Sequence, residues 1–413
     1  MPAGAGPQSQ GESMSKESPK SRSSKARQAG VSRRSLLKSG AAGAAAAAAL
    51  AAPHIRNAEA ATINIRMLIW QDYNIADTVN EFEAKYDARI SPAFFDGNSE
   101  AFNKMKAGGT ADFDLVMADG FWPRLYYRDG LIQPMNEELL PNLANLFPDF
   151  APGAYDLLLD KPGGVRIGAN NCWGSYGITM NLDHIAPEDR ESLNIMFDEK
   201  YAGHLATGAR FEENIAMAGI LAATQLGTVD GPRPDGDESF NPYHLTDEEL
   251  ERAKELLIKQ KGLLVTRYQD YDSLQKLMRP GLVWASPEFS EIYRRLTRAY
   301  EAGEIDFQVA HMLQPKEGGL GWIDSWQLSS GTTDSEAIEL CHHWVNHYIS
   351  NESMTRVAQI GVAPCYDVRE FLPPEEVALL LMDRTVELRG LHMFDQPSSP
   401  EKWERVWSEV EAA

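Results

Sequence analysis

Aromatic side chains stand beside carboxylates at three places in this 413-residue chain: Trp70-Gln71-Asp72-Tyr73, Asp119-Gly120-Phe121-Trp122 and Trp322-Ile323-Asp324, with a further tryptophan at Trp284. That pairing suits an alkylammonium ion. An ammonium over an aromatic face gains about 0.5–2 kcal/mol, and a charged hydrogen bond to a carboxylate adds roughly 1.5–3 kcal/mol. Several such contacts together reach micromolar binding, about −8 kcal/mol. A tryptophan can also simply fill a core gap, and for Trp284 taken alone that is the simpler reading. It is the Trp-x-Asp pairs that point to a site.

Residues that would do covalent or metal chemistry are not arranged for it. The chain has no Cys-x-x-Cys, no His-Glu-x-x-His, no phosphate loop and no Gly-x-Ser-x-Gly, since Ser175 has Trp173 two residues before it. Cys341-His342-His343 are adjacent residues, which on a helix point in different directions and cannot share one ion unaided. Carboxylate pairs such as Glu212-Glu213 and Glu375-Glu376 are ordinary in an acidic chain. No catalytic residue, metal or cofactor is predicted.

The elements that must position the aromatic and acidic residues follow from periodicity. Ile63 to Ile69 is apolar and β-prone, and Ile75, Val79 and Phe82 then fall at helical spacing. Arg89 to Phe95 predicts a second strand, Ser99 to Lys106 a short helix stopped by Gly108-Gly109, and Phe113 to Met117 a third strand. This alternation predicts an α/β fold with a mostly parallel sheet flanked by helices. Ligands of such sheets sit beyond the carboxyl ends of the strands, where Trp70–Tyr73, Asp96–Glu100 and Asp119–Trp122 would converge. Further on, Gly168 to Met180 suits a strand crossing between lobes, and Gly227 to Tyr243, rich in Gly, Pro and Asp, a surface loop. Thr246 caps a helix running to about Lys261. Gly281 to Trp284 predicts a buried strand, Glu288 to Ala302 a helix, and Pro400 to Val410 a helix whose Trp403 and Trp407 are packing residues.

Ahead of these elements, Ser32-Arg33-Arg34-Ser35-Leu36-Leu37-Lys38 and the alanine stretch Gly40 to Ala52 have the form of a twin-arginine export signal. Ala58-Glu59-Ala60 offers a signal-peptidase site, so residues 1–60 are expected to be removed and the chain to work in the periplasm. Those 60 residues hold nine Lys or Arg and three Asp or Glu, so their loss takes the net charge from −21 to −27. Such acidity argues against nucleic acid as a partner, because phosphate binding needs a basic surface. It is compatible with a cationic ligand, and equally with solubility alone. Cys172, Cys341 and Cys365 are an odd number in an oxidising compartment, so at most one disulfide is expected, its pairing left open. The remaining length, about 350 residues, suggests two domains.

Taken together these motifs resemble the periplasmic spermidine/putrescine-binding proteins of bacterial ABC importers. The anchors are Trp70-Gln71-Asp72-Tyr73, Phe113-Asp114-Leu115-Val116 with Asp129-Gly130-Leu131-Ile132-Gln133, Tyr201-Ala202-Gly203, and most specifically Lys316-Glu317-Gly318-Gly319-Leu320-Gly321-Trp322-Ile323-Asp324-Ser325. The resemblance implies a type II periplasmic-binding-protein fold of two α/β lobes that close on the ligand. Lobe 1 is expected at 61–172 and 318–362, lobe 2 at 173–317 and 363–413. It implies ligand contacts from Trp70, Asp72, Tyr73, Asp119 and Phe121 in the first lobe, Glu213 and Trp284 in the second, and Trp322 and Asp324. The implied partners are a small amine-bearing solute and the permease subunits of the inner membrane, with the binding protein a monomer.

Three positions depart from the family pattern. Arg210 stands where spermidine binders have another carboxylate, Pro287 where putrescine binders have an aspartate, and Val362 replaces an expected aromatic. Arg210 in the cleft would repel a second ammonium or pair with a carboxylate on the ligand, which opens the way to an amino acid or opine. Outside the cleft it would form a salt bridge with Glu212 or Glu213.

Overall fold

Eight strands carry the main path of the sheet: β1 Asn64–Ile69, β2 Arg89–Phe94, β3 Leu115–Asp119, β4 Ala169–Asn181, β5 Leu205–Gly208, β6 Leu264–Tyr268, β7 Ala285–Phe289 and β8 Gly319–Ser329. The computed structural model describes residues 63–155, 157–230 and 239–413. The export segment and part of the loop expected at 227–243 therefore lie outside the described residues. The strands are ordered β2-β1-β3-β8-β4-β7-β5-β6, and four shorter strands pair along this path.

β1 pairs parallel with β2 and β3, and β5 parallel with β6 and β7. The three pairings in the middle, β3 with β8, β8 with β4 and β4 with β7, are antiparallel. The expectation of a mostly parallel sheet thus holds within each outer trio and fails at the centre. There β4 and β8, 13 and 11 residues long, reach about 35–45 Å at 3.3 Å per residue, enough to serve two cores.

Two large apolar cores lie along this sheet. The first gathers Ile65, Met67, Phe82, Val116 and Trp344, and the second Ile178, Leu205, Ile220, Leu257 and Trp403. A smaller cluster around Leu274, Met278 and Leu296 packs beside the second. Among the described residues the chain passes between the two main cores five times, two of them around Leu313, which belongs to the first core between Met312 and Leu320 of the second. β4 has Trp173 in the first and Tyr176 in the second, β8 has Leu320 in the second and Ile323 in the first, and Met393 belongs to the first while Phe394 belongs to the second. Residues of the segment 363–388, expected with the second lobe, pack in the first core through Cys365, Tyr366, Val377 and Leu388.

Local chemistry moves some boundaries from where periodicity puts them. The third strand starts two residues late because Asp114 is engaged by Arg66, whose Nη2 and backbone N–H donate to its carboxylate at 2.8 and 2.9 Å. Gly281 to Trp284 forms no strand. It is the turn after the helix Tyr271–Met278, where Gly281 takes φ +74° and the N–H groups of Leu282 and Val283 both bond the Leu277 carbonyl. The strand that follows runs through Pro287 and Glu288 to Phe289, so the next helix is confined to Glu291–Glu301. Thr246 does cap Asp247–Lys261, in a reciprocal box with Glu249. All three cysteines are buried thiols.

Candidate functional site

A cleft of about 530 Å³ opens where the two main cores meet. Trp70, Asp72, Tyr73, Asp119, Trp322 and Asp324 line it on one side, and Tyr271, Phe289, Glu291 and Arg295 on the other. Six of the residues singled out from sequence are therefore brought together.

Trp70 directly follows β1, and the turn Gln71–Tyr73 folds back through a bond from the Tyr73 N–H to the Trp70 carbonyl at 3.2 Å. The Trp70 ring is held at the rim by Phe95, 4.4 Å between centroids. Asp119 ends β3 and lies directly across the antiparallel ladder from Asp324. On the other side of Asp324 stands Cys172 of β4, and the register slips at the next step, between Asp324 and Ser325. Such a bulge twists a strand and redirects its side chains. Trp322, two residues before Asp324, shares its face of the strand. Its ring has room because the residue opposite is Gly174, where a Cβ would come within 2.7 Å of the indole.

Asp119 and Asp324 are only 7% and 6% exposed. Among the described residues neither forms an ion pair, and Asp119 Oδ1 and Trp322 Nε1 have no hydrogen-bond partner. The Tyr73 hydroxyl donates to Asp324, and the Cys172 sulfur lies 2.8 Å from that hydroxyl and 3.6 Å from Asp324 Oδ2. Burial pushes both carboxyls upward, Asp119 well above its ordinary value with the Asp324 charge adding to the push. The Tyr73 and Cys172 bonds act downward on Asp324 and leave it raised to about 7. Two carboxylates side by side in low dielectric repel each other, so the arrangement favours whatever brings positive charge to them.

Three predicted contacts lie elsewhere. Phe121 precedes the helix Trp122–Arg128 and lines a separate cavity with Arg124, Tyr155 and Asp395. Gly120, at φ +51°, turns the chain there, and Phe394, whose carbonyl accepts the Phe121 N–H at 2.9 Å, lines the cleft instead. Glu213 sits in the first turn of Phe211–Leu226 outside the cleft wall, raised by burial and lowered by Arg210; its charge still adds to the upward push on Asp119. Trp284 precedes β7 and is stacked between His204 and His184, at 3.4 and 4.3 Å. Five residue steps, about 16 Å of strand, separate it from the cleft end of β7. Arg210 pairs with Glu288 at 2.8 Å rather than with Glu212 or Glu213. Of the departures from the family pattern, Val362 lines the cleft while Pro287 is buried within β7.

Tyr271, Phe289, Glu291 and Arg295 were missed from sequence. One signal was available: Ser290-Glu291 reads as a helix start, which ends the preceding strand at Phe289 and puts that ring at a ligand-facing end.

No protein-family model matches the chain. The spermidine/putrescine-binding periplasmic protein of Escherichia coli strain K12 is 24% identical over 319 residues, spanning 74% of this chain and 79% of that one. The putrescine-binding periplasmic protein PotF of the same organism is 27% identical over 311 residues, 73% and 76% of the two chains. The chain is similar in sequence to these periplasmic binding proteins over about three quarters of its length. Among solved structures, the spermidine/putrescine ABC transporter substrate-binding protein PotD from Streptococcus pneumoniae matches with a TM-score of 0.64 at 16% identity, over 85% of this chain and 99% of that one. The fold is the type II periplasmic-binding fold. In an α/β fold of this kind the cleft between the two main cores, at the carboxyl ends of β1 and β3, is the natural place for a ligand.

Proposed function

We propose that this protein is the solute-binding component of an ABC importer, capturing a small amine-bearing solute of the polyamine type in the periplasm. The observation that carries the reading is the Asp119–Asp324 pair, two buried carboxylates directly opposite each other beside Trp322 and without an ion-pairing partner among the described residues. An ammonium placed between them answers both charges. Its alkyl chain then runs along Trp70, Trp322 and Phe289, while Asp72 adds a further carboxylate to the cleft wall. The names of the relatives support the same solute class.

Residues from both cores line the cleft, so a bridging solute favours the arrangement in which both touch it. The two cores then act as lobes hinged on β4, β8 and the Met393–Phe394 crossing, and a permease reads the closed form. Export by the twin-arginine route and action as a monomer complete the proposal.

A second reading rests on Arg295, the one guanidinium in the cleft wall among the described residues. It is held by Glu291 at 2.6 Å and Asp272 at 3.0 Å. A solute carboxylate would have to compete with both, so a zwitterion is the weaker candidate. Thermal shift followed by calorimetry with putrescine, spermidine and an ω-amino acid of matched length separates the readings, because a bound ligand stabilises by RT ln(1 + [L]/Kd). Stabilisation by the amines is expected. Stabilisation by the amino acid alone would overturn the polyamine assignment, and no response to any of the three would remove the amine reading altogether.

A further inference from the structure

Ring contacts converge on Phe289. It meets Tyr176 at 5.3 Å and 73°, Trp322 at 6.1 Å and 87°, and Phe394 at 6.1 Å and 63°, all edge to face. The Arg210 guanidinium stands over the same ring, 5.0 Å from its centroid. Arg210 Nη1 donates to Glu288 Oε1 at 2.8 Å, and that oxygen also accepts the Phe289 N–H at 3.0 Å. Glu288 is 1% exposed, and a carboxylate buried so deeply is costly without its cation. Arg210, Glu288 and Phe289 are thus one unit in which charge is balanced locally and a ring orientation is fixed.

A guanidinium over a benzene ring already draws on its π electrons. The ring is then a poorer partner for a second cation and still a good surface for methylene groups. We propose that Phe289 is the ring on which the solute's alkyl chain rests from the second core, and that Arg210, through Glu288, is a positioning residue for that ring rather than a charge facing the solute. This rests on the amine-binding reading above. It replaces Trp284, whose faces are both occupied by histidine rings, with Phe289 as the second core's stacking residue.

The test is calorimetry with putrescine and spermidine on single and paired variants, with a ligand-free melting curve for each. Phe289→Leu and Phe289→Ala should weaken binding about tenfold, in line with the loss of one aromatic contact, and Phe289→Trp should retain it. Trp284→Ala should bind within about twofold of the unmutated protein, as expected for a ring outside the site. Arg210→Ala should weaken binding several-fold. The pair Arg210→Ala with Glu288→Gln should recover most of that loss, because the uncompensated carboxylate is gone. Recovery of affinity in the pair is a readout that general destabilisation does not give. Higher diamine affinity in Arg210→Ala would show that the guanidinium repels the solute and would overturn the proposal. So would undiminished binding by both Phe289 variants, or a loss in Trp284→Ala matching theirs. Failure of the unmutated protein to bind any amine would instead sink the amine reading, and the proposal with it.

Discussion

Asp119 and Asp324 each carry an unmet demand that a ligand can satisfy, and their behaviour is open to test one atom at a time. Asp324→Asn keeps the shape of the side chain and removes its charge, so it should weaken amine binding by at least about 1.5 kcal/mol, the lower bound for a charged hydrogen bond. Calorimetry showing unchanged affinity would falsify the contact. Proton uptake gives a second handle. An unfolded aspartate titrates near 3.9, whereas burial pushes Asp119 well up and Asp324 to about 7. The folded, ligand-free protein therefore holds protons that the unfolded chain has lost, and the stability this contributes disappears as pH rises through about 7. A ligand-free melting temperature higher at pH 5 than at pH 8 is the expected outcome. Amine affinity should move the opposite way, rising with pH over the same window, because an alkylammonium near pKa 10 stays charged while the carboxyls ionise. Titrations at pH 5.5 and 8 should show this for the unmutated protein and a flatter response for Asp119→Asn.

At the scale of strands and helices, what puts the acids and rings in place is backbone register, and glycines keep the neighbouring space clear. Gly174→Ala would drive a methyl group to within 2.7 Å of the Trp322 indole. Overpacking of that kind costs about 1–3 kcal/mol, to be read from denaturant midpoints, and a displaced Trp322 should lower amine affinity as well. Thr246→Ala, far from the cleft, should cost about 1 kcal/mol through loss of its cap and leave affinity unchanged. Most elements were legible in the sequence because their signals are local: the β-prone run from Ile63, the i, i+4, i+7 spacing of Ile75, Val79 and Phe82, and the Thr246–Glu249 box. What escaped depends on distant partners. The Trp284 ring is stacked by His184 and His204, which lie far away in sequence, and Phe121 is turned aside by Gly120 and a bond to Phe394. The antiparallel centre of the sheet was hidden for the same reason. The pairing of β4 with β8 joins segments about 150 residues apart, and no short-range period reports it.

For the whole molecule, two cores on one sheet with a cleft between them suggest a hinge, and the sequence's net charge of −21 suggests electrostatic steering. If the hinge closes on its solute, small-angle scattering should show a smaller radius of gyration when putrescine or spermidine is added. Asp324→Asn should show no change at the same concentration. The association rate of a multiply charged amine should fall as salt is raised from 10 to 150 mM, because screening shortens to about 8 Å, whereas a rate indifferent to salt would rule out steering by the net charge. The odd number of passages between the cores has a practical consequence. With five crossings, β1 belongs to one core and the final helix, Pro400–Ala412, to the other. Dyes attached to Asn64 and to an exposed position of that helix would ride on opposite bodies, so energy transfer between them would turn the protein into an optical gauge of its own ligand.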